Sequence, residues 1–481
     1  MRALLVMLMA VSFGVAVHAQ PQPPEVEWSR TYGRPWDDYC ESVRQTSDGG
    51  YLLAGFTTRE DGEDFWLVRT NALGDSLWSR TYGGTGLLEC RDMQLTSDGG
   101  CVMAGGALLS VATGFDFWVV KTDAAGDSQW SRSFGGPNDD FCEAVLQADD
   151  GGHVLAGSTH SYGAGGYDFW LVKTDSVGDS LWSRTFGGYA DDECACVERT
   201  ADGGYILGGG TWSYGAGWYD IWLVKTDANG DSQWSRTIGG SGMEFCYSLQ
   251  RTADGGFILA GEKYEPTDSS GTDALLLKTD ADGDCLWQRT FGGAQDDVAF
   301  AVQQTTDGGY IVVMGTTPVS VWVDAEVIRT NASGDSLWSM RLGGPRHDVF
   351  FDIQPTADGG FVFAGYAQPP EPAISDMWLV KTGPELSATQ PLIPQDLRFL
   401  TNYPNPFNSA TQIEFTLPAT QRVSLRLYDV LGREVAVLMN EIQAAGLHRL
   451  TFDASGLPSG VYLCRLEAGE MMQTRKMVLI K

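Results

Sequence analysis

Basic residues are scarce in this chain. It carries 32 lysines and arginines against 62 aspartates and glutamates, a formal net charge of −30. Phosphate binding needs a basic face, so no nucleic-acid partner is expected. Histidine is scarcer still, at five residues, and none falls in a metal-ligand spacing such as HExxH. The sequence has no GxSxG elbow and no glycine-rich phosphate loop ahead of a helix. These absences leave open a carboxylate-based glycosidase or lyase, whose two acids need no local signature. Beyond residue 19 no apolar run approaches the roughly 20 residues of a membrane helix, so no transmembrane segment is expected.

Glycine and aromatic residues are plentiful instead. There are 60 glycines and 11% aromatics, with few runs at helical spacing, a profile of short strands joined by turns. Residues 1–19 read as a signal peptide. Arg2 supplies the positive end, Ala3–Val17 the apolar core, and Val17-His18-Ala19 a small-residue cleavage site before Gln20.

Seven copies of one unit follow, 50–53 residues apart. Asp-Gly-Gly recurs at Asp48, Asp98, Asp150, Asp202, Asp254, Asp307 and Asp358. The tryptophan of a WSR-type strand recurs at Trp28, Trp78, Trp130, Trp182, Trp234, Trp287 and Trp338. A WLVKT-type strand precedes it at Trp66, Trp118, Trp170, Trp222 and Trp378, with weaker copies around Leu276 and Val327. Such a period marks a solenoid or a propeller. Each unit reads as four strands, a to d; in the third they fall at Phe141–Gln147, His153–Ser158, Phe169–Thr174 and Ser180–Phe186. The chain begins with a lone d strand around Trp28 and its last copy ends on a c strand, Asp376–Thr382. Ring closure by the N-terminal strand removes the exposed edges that an open array leaves. We therefore expect an all-β, seven-bladed β-propeller over residues 20–383, a linker over 384–397, and a small Ig-like β-sandwich over 398–481.

The tail carries Asn402-Tyr403-Pro404-Asn405-Pro406-Phe407-Asn408, then Leu427-Tyr428-Asp429-Val430-Leu431-Gly432-Arg433-Glu434, and later Gly456-Leu457-Pro458-Ser459-Gly460-Val461-Tyr462. In this it resembles the type A C-terminal sorting domain of the type IX secretion system of Bacteroidetes-like bacteria, with Cys464 where that family usually has an aromatic residue. The resemblance implies handling by the type IX machinery, passage across the outer membrane, removal of the tail, and release or attachment to surface lipopolysaccharide. The repeats resemble those of large secreted bacterial propellers, which implies a fold and no activity.

Positions shared by all copies serve the blade, whereas positions that differ are free to serve a ligand. The Trp170 and Trp182 positions and the Asp-Gly-Gly turns therefore read as framework. So do the Asp280–Asp284 type turns, which lack the 6–8 oxygens of a calcium site. An acid follows most Gly-Gly pairs: Asp38, Glu89, Asp140, Asp192, Glu244, Asp297 and Asp348. Placed before strand a, these either ring a channel mouth, where a cation such as calcium relieves their repulsion, or cap the amides of their own turns. The b–c loops vary. Tyr162, Tyr167, Trp212, Tyr214, Trp218 and Tyr219 either stack on a ligand or pack within those loops. Cys40, Cys90, Cys142, Cys194 and Cys246 share one position with Ala299 and Phe350, a buried small-hydrophobe role rather than a disulfide network. The resulting expectation is an exported, monomeric, non-enzymatic binding or adhesion module for a glycan or protein, without a catalytic residue or obligatory cofactor. A polysaccharide hydrolase or lyase using channel-mouth carboxylates and a structural surface component are the alternatives.

Overall fold

The computed structural model describes residues 22–110, 114–266, 271–317, 323–371, 373–385, 398–403, 405, 407–417, 421–443, 446–469 and 471–481. The expected signal peptide and residues 386–397 of the expected linker lie outside them.

Residues 26–382 form seven four-stranded antiparallel sheets, each in the order a-b-c-d. In the third sheet the strands are Asp140–Gln147, His153–Thr159, Asp168–Thr174 and Ser180–Phe186. The seventh sheet is made from both ends of this region. Val26–Tyr32 pairs antiparallel with Asp376–Thr382 as its d strand, with Ser29 opposite Val380.

Strands b and c are buried on both faces, which explains their continuous apolar sequence. Large rings fill the space between neighbouring sheets. Phe117 of the second sheet meets Trp170 of the third at 4.6 Å, and Phe169 of the third meets Trp222 of the fourth at 4.8 Å. The same packing joins the last sheet to the first, where Val362, Ala364, Met377 and Leu379 share a core with Cys40, Leu53 and Trp66. Repeated four-stranded sheets packed face to face in this way are a β-propeller fold.

The repeated hairpin turn holds neighbouring sheets together. Gly230 has φ +79°, which favours glycine, and a Cβ there would fall 2.5 Å from the Trp182 ring of the preceding sheet. The Asp-Gly-Gly turn is equally structural. Asp202 accepts a hydrogen bond from the Thr200 hydroxyl at 2.6 Å and pairs with Lys225 at 2.9 Å. Lys225 is buried, and its ammonium is neutralised by this exposed carboxylate while it also donates to Thr226 O at 2.7 Å and Gln233 Oε1 at 2.9 Å. Arg69 and Arg329 take the same role against Asp48 and Asp307.

The tail has its own core. One sheet holds Arg398–Tyr403, Ala410–Leu417 and Gly446–Asp453; the other holds Glu434–Gln443, Gln421–Asp429, Gly460–Ala468 and Met471–Leu479. Ile413, Phe415, Leu425, Leu427, Cys464 and Leu466 alternate inward along their strands. Sequence motifs become contacts here. The Asn405 side chain donates to Lys476 O at 3.0 Å and accepts from Val478 N at 2.9 Å, which pins the last strand. Tyr462 donates its hydroxyl proton to Pro458 O at 2.7 Å. Among the described residues no helix is long and apolar enough to cross a membrane.

Candidate functional site

Every a strand contains a β-bulge at the same place, just after the position most copies fill with cysteine: Cys40/Ser42, Cys90/Asp92, Cys142/Ala144, Cys194/Cys196, Cys246/Ser248, Ala299/Ala301 and Phe350/Asp352. A bulge leaves one residue without a partner across the ladder and re-aims its side chain. The seven bulged residues are Glu41, Arg91, Glu143, Ala195, Tyr247, Phe300 and Phe351, and all seven line a single cavity of about 460 Å³. The cavity is therefore lined by the a strands of all seven sheets.

Its wall has two unlike halves. On one side Arg91 lies 3.9 Å from Glu41 and 4.0 Å from Glu143, and it also pairs with Glu89. Burial pushes the Glu41 carboxyl up to about 7, against the pull of Arg91 and with the push of Glu143 and Glu89. Glu143 is likewise pushed up to about 7 by burial, again opposed by Arg91. On the other side the rings form an arc. Phe245 and Tyr247 lie 4.9 Å apart, Tyr247 and Phe300 6.2 Å, Phe300 and Phe351 5.1 Å, and Phe351 and Tyr366 5.9 Å. Tyr247 donates to Glu262 at 2.9 Å, so that ring has a fixed orientation.

This electrostatic arrangement predicts a pH profile. A carboxyl whose pKa is raised on folding contributes stability below its unfolded pKa and loses it as pH rises through the folded value. For Glu41 and Glu143 that window runs from about 4.5 to about 7. Asp202, held down to about 2 by Thr200 and Lys225, and Asp48, held down to about 2 by Thr46 and Arg69, act in the opposite sense below about pH 4. The melting temperature is therefore expected to peak between about pH 4 and 4.5 and to fall by about 2–4 °C by pH 8. Differential scanning calorimetry of Glu41→Gln/Glu143→Gln should show a flatter profile between pH 5 and 8; an unchanged slope would place the titration elsewhere.

The expected acidic ring is built differently. Six of its acids are buried and accept a hydrogen bond from the amide four residues earlier. Asp38 accepts from Arg34 N at 2.6 Å, Asp140 from Gly136 N at 2.8 Å and Asp192 from Gly188 N at 2.7 Å. Glu244, Asp297 and Asp348 accept from Gly240, Gly293 and Gly344 at 3.1, 2.8 and 2.5 Å. Burial pushes Asp38 up to about 6 despite its bonds to Thr57 and Arg34. Glu89 does not belong to this set. The register pairs Leu88 with Ala107 as it pairs Asp38 with Thr57, so Leu88 holds the ring position in the second sheet. Glu89 comes one residue later and pairs with Arg91. Among the described residues no group of three or more His, Cys, Asp or Glu side chains is arranged to hold a metal ion.

The six loop aromatics separate into three kinds. Tyr162 and Tyr214 donate to Gly135 O at 2.7 Å and Gly187 O at 2.8 Å, and each packs 5.3 Å from the tryptophan of its own c strand, Trp170 or Trp222. Both hydroxyls are thus held by the d–a turn ahead of their own sheet, while the rings stay exposed. Tyr167 lines the cavity, and Tyr219 donates to Glu193 of the cavity wall at 2.7 Å. Trp212 and Trp218 remain exposed, 5.9 Å from Tyr219 and 6.3 Å from Tyr264. The bulged positions, absent from the residues that the sequence singles out, nevertheless carry a signal in it. They vary as Glu, Arg, Glu, Ala, Tyr, Phe, Phe beside a cysteine position that is nearly constant.

Fold and tail together define an exported β-propeller. Residues 401–481 match the family described as the secretion system C-terminal sorting domain. That domain indicates export across the outer membrane by type IX secretion, to the cell surface or the medium. Over 171 aligned residues the chain is 26% identical to the regulatory protein FlaEY of Caulobacter vibrioides, a match covering 30% of this chain and 18% of that relative's length. Among solved structures it is similar to polysaccharide lyase Uly1, at 8% identity over 73% of this chain and 91% of that one, with a TM-score of 0.45. It is similar also to the β-propeller domain of the Trilobed protease from Pyrococcus furiosus, at 9% identity over 74% and 97%, with a TM-score of 0.42.

Proposed function

We propose that the chain is a seven-bladed β-propeller with an Ig-like sorting tail that binds an extracellular glycan in its channel, at the surface of a Bacteroidetes-like bacterium or in its medium. The two-sided cavity carries this reading. Sugar rings present an apolar face that stacks on aromatic side chains and a rim of hydroxyls that hydrogen-bond carboxylates and guanidinium groups. Phe245, Tyr247, Phe300 and Phe351 supply the first surface, and Glu41, Arg91 and Glu143 supply the second. A volume of about 460 Å³ falls within the range of small-ligand sites. The seven sheets and the shared core of the last with the first support the blade count. Adhesion follows where one bound glycan belongs to another surface. The reading uses a monomer and needs no cofactor.

A second reading has its own observation. Glu41 and Glu143 flank one arginine and titrate near neutral pH, so one of them can hold a proton while the other is ionised. Two such carboxyls are the equipment of a glycoside hydrolase.

A combined glycan and protein array separates these readings. The wild type is expected to bind a restricted set of oligosaccharides, and Phe300→Ala/Phe351→Ala to lose most of that signal. Binding confined to proteins, or no binding, would overturn the glycan reading. Release of reducing ends from the bound glycans, abolished in Glu41→Gln and Glu143→Gln, would favour the hydrolase.

A further inference from the structure

The residue just after the bulge is small or polar in most sheets: Ser42, Asp92, Ala144, Ser248, Ala301 and Asp352. In the fourth sheet it is Cys196. Its Sγ lies 3.9 Å from Sγ of Cys246, which occupies the shared cysteine position of the fifth sheet. A second exception accompanies the first. The residue paired with this position on strand b is Ala54, Ala104, Ala156, Ala260, Val313 or Ala364 in the other sheets, and Gly208 only here. A Cβ on Gly208 would stand 3.0 Å from the Cys196 sulfur and 3.4 Å from the Cys246 sulfur. The missing methyl is thus the space in which the two sulfurs meet.

We propose that Cys196 and Cys246 are a redox pair that closes into a disulfide between the fourth and fifth sheets after export. Extracytoplasmic compartments favour that state. Rotation of the two side chains has to bring the sulfurs from 3.9 Å to bonding distance, about 2.05 Å. Access comes through the channel, because Cys196 lines a second cavity of about 400 Å³ along the later half of the a strands. Cys246 is fully buried behind it.

The chemistry balances with a low-molecular-weight disulfide as oxidant. The Cys196 thiolate attacks one sulfur of that disulfide and expels the other as a thiolate, leaving a mixed disulfide on Cys196. The Cys246 thiolate then attacks the Cys196 sulfur, and the second small thiolate departs. The two protons of the cysteine thiols end on the two released thiols, so two electrons pass from the protein to the oxidant. Burial pushes the Cys246 thiol well above its ordinary range, so closure in the folded chain should accelerate as pH rises.

Peptide mapping tests the pair directly. The full chain is incubated with oxidised glutathione at pH 8.5, denatured in excess alkylating reagent, and mapped by mass spectrometry without reduction. The expected result is a cross-linked Cys196–Cys246 peptide, with the other seven of the nine cysteines alkylated. Cys196→Ser, which places at this position the residue found at Ser42 and Ser248, should fold and give no cross-link. Gly208→Ala should slow closure by about tenfold, because each added contact disfavours the approach. Reduction should lower the melting temperature of the oxidised wild type and leave Cys196→Ser unmoved. Full alkylation of both cysteines after oxidation, or equal cross-linking among other cysteines, would overturn the proposal.

Discussion

A chain truncated after residue 397 is expected to accumulate in the periplasm, with surface and medium signal reduced by at least about tenfold, as expected when a receptor-read address is removed rather than an anchor. The tail's core is built from tail residues alone, including Phe407, Ile413, Leu425, Tyr462 and Met477. The propeller sheets have separate cores, so the truncated protein should keep its melting transition. That transition distinguishes a sorting defect from a folding defect. Asn405→Ala is the finer probe, since it removes both hydrogen bonds to the final strand without shortening the chain. Cell fractionation with protease shaving reads both variants. Normal surface display of the truncated chain would refute the role of the tail.

Replacing Trp222 by alanine should cost the propeller about 3–5 kcal/mol, the usual range for removing a buried aromatic and leaving a cavity. Trp222 is 5% exposed and sits at the junction of two sheets, 4.8 Å from Phe169 and beside Leu207 and Val224. A loss of this size approaches the whole stability of many domains, so the variant should unfold at far lower denaturant. Trp182 offers the contrast. It lies on the outer strand, half-buried under Arg184 at 5.4 Å, and its alanine variant should lose about 1–2 kcal/mol. Urea titrations of the two variants give the order. Equal losses would contradict the assignment of c strands to the interior and d strands to the outer edge.

The sequence carried the framework because the framework repeats. Asp-Gly-Gly, the paired tryptophans and the split ends gave strand order, turn positions and the partner of Val26–Tyr32. The cavity was harder to read. A bulge shifts register by one residue, and nothing in an alternating pattern announces it. Glu89 shows the consequence. Leu88 lies four residues after Gly84 and Glu89 five, so the only acid there falls one residue past the ring position. Tyr162 and Tyr214, whose rings are exposed, carry a contact of a different kind. Tyrosines in a glycine-rich loop look available, yet their hydroxyls are committed to the backbone of the turn beside them. The test that best exposes a site in a repeat protein is variation at one aligned position. That variation is marked at Glu41, Arg91, Glu143, Ala195, Tyr247, Phe300 and Phe351, all of which line the cavity.

The central claim is that recognition takes place inside the channel, on the bulged residues, and not on the exposed loop aromatics. Titration calorimetry with the strongest oligosaccharide from the array measures this directly. Phe300→Ala/Phe351→Ala should weaken the dissociation constant by at least about tenfold, or about 1.4 kcal/mol. Trp212→Ala/Trp218→Ala should change it by less than about twofold, or about 0.4 kcal/mol. The opposite order, with the loop pair decisive and the channel pair silent, would contradict the account.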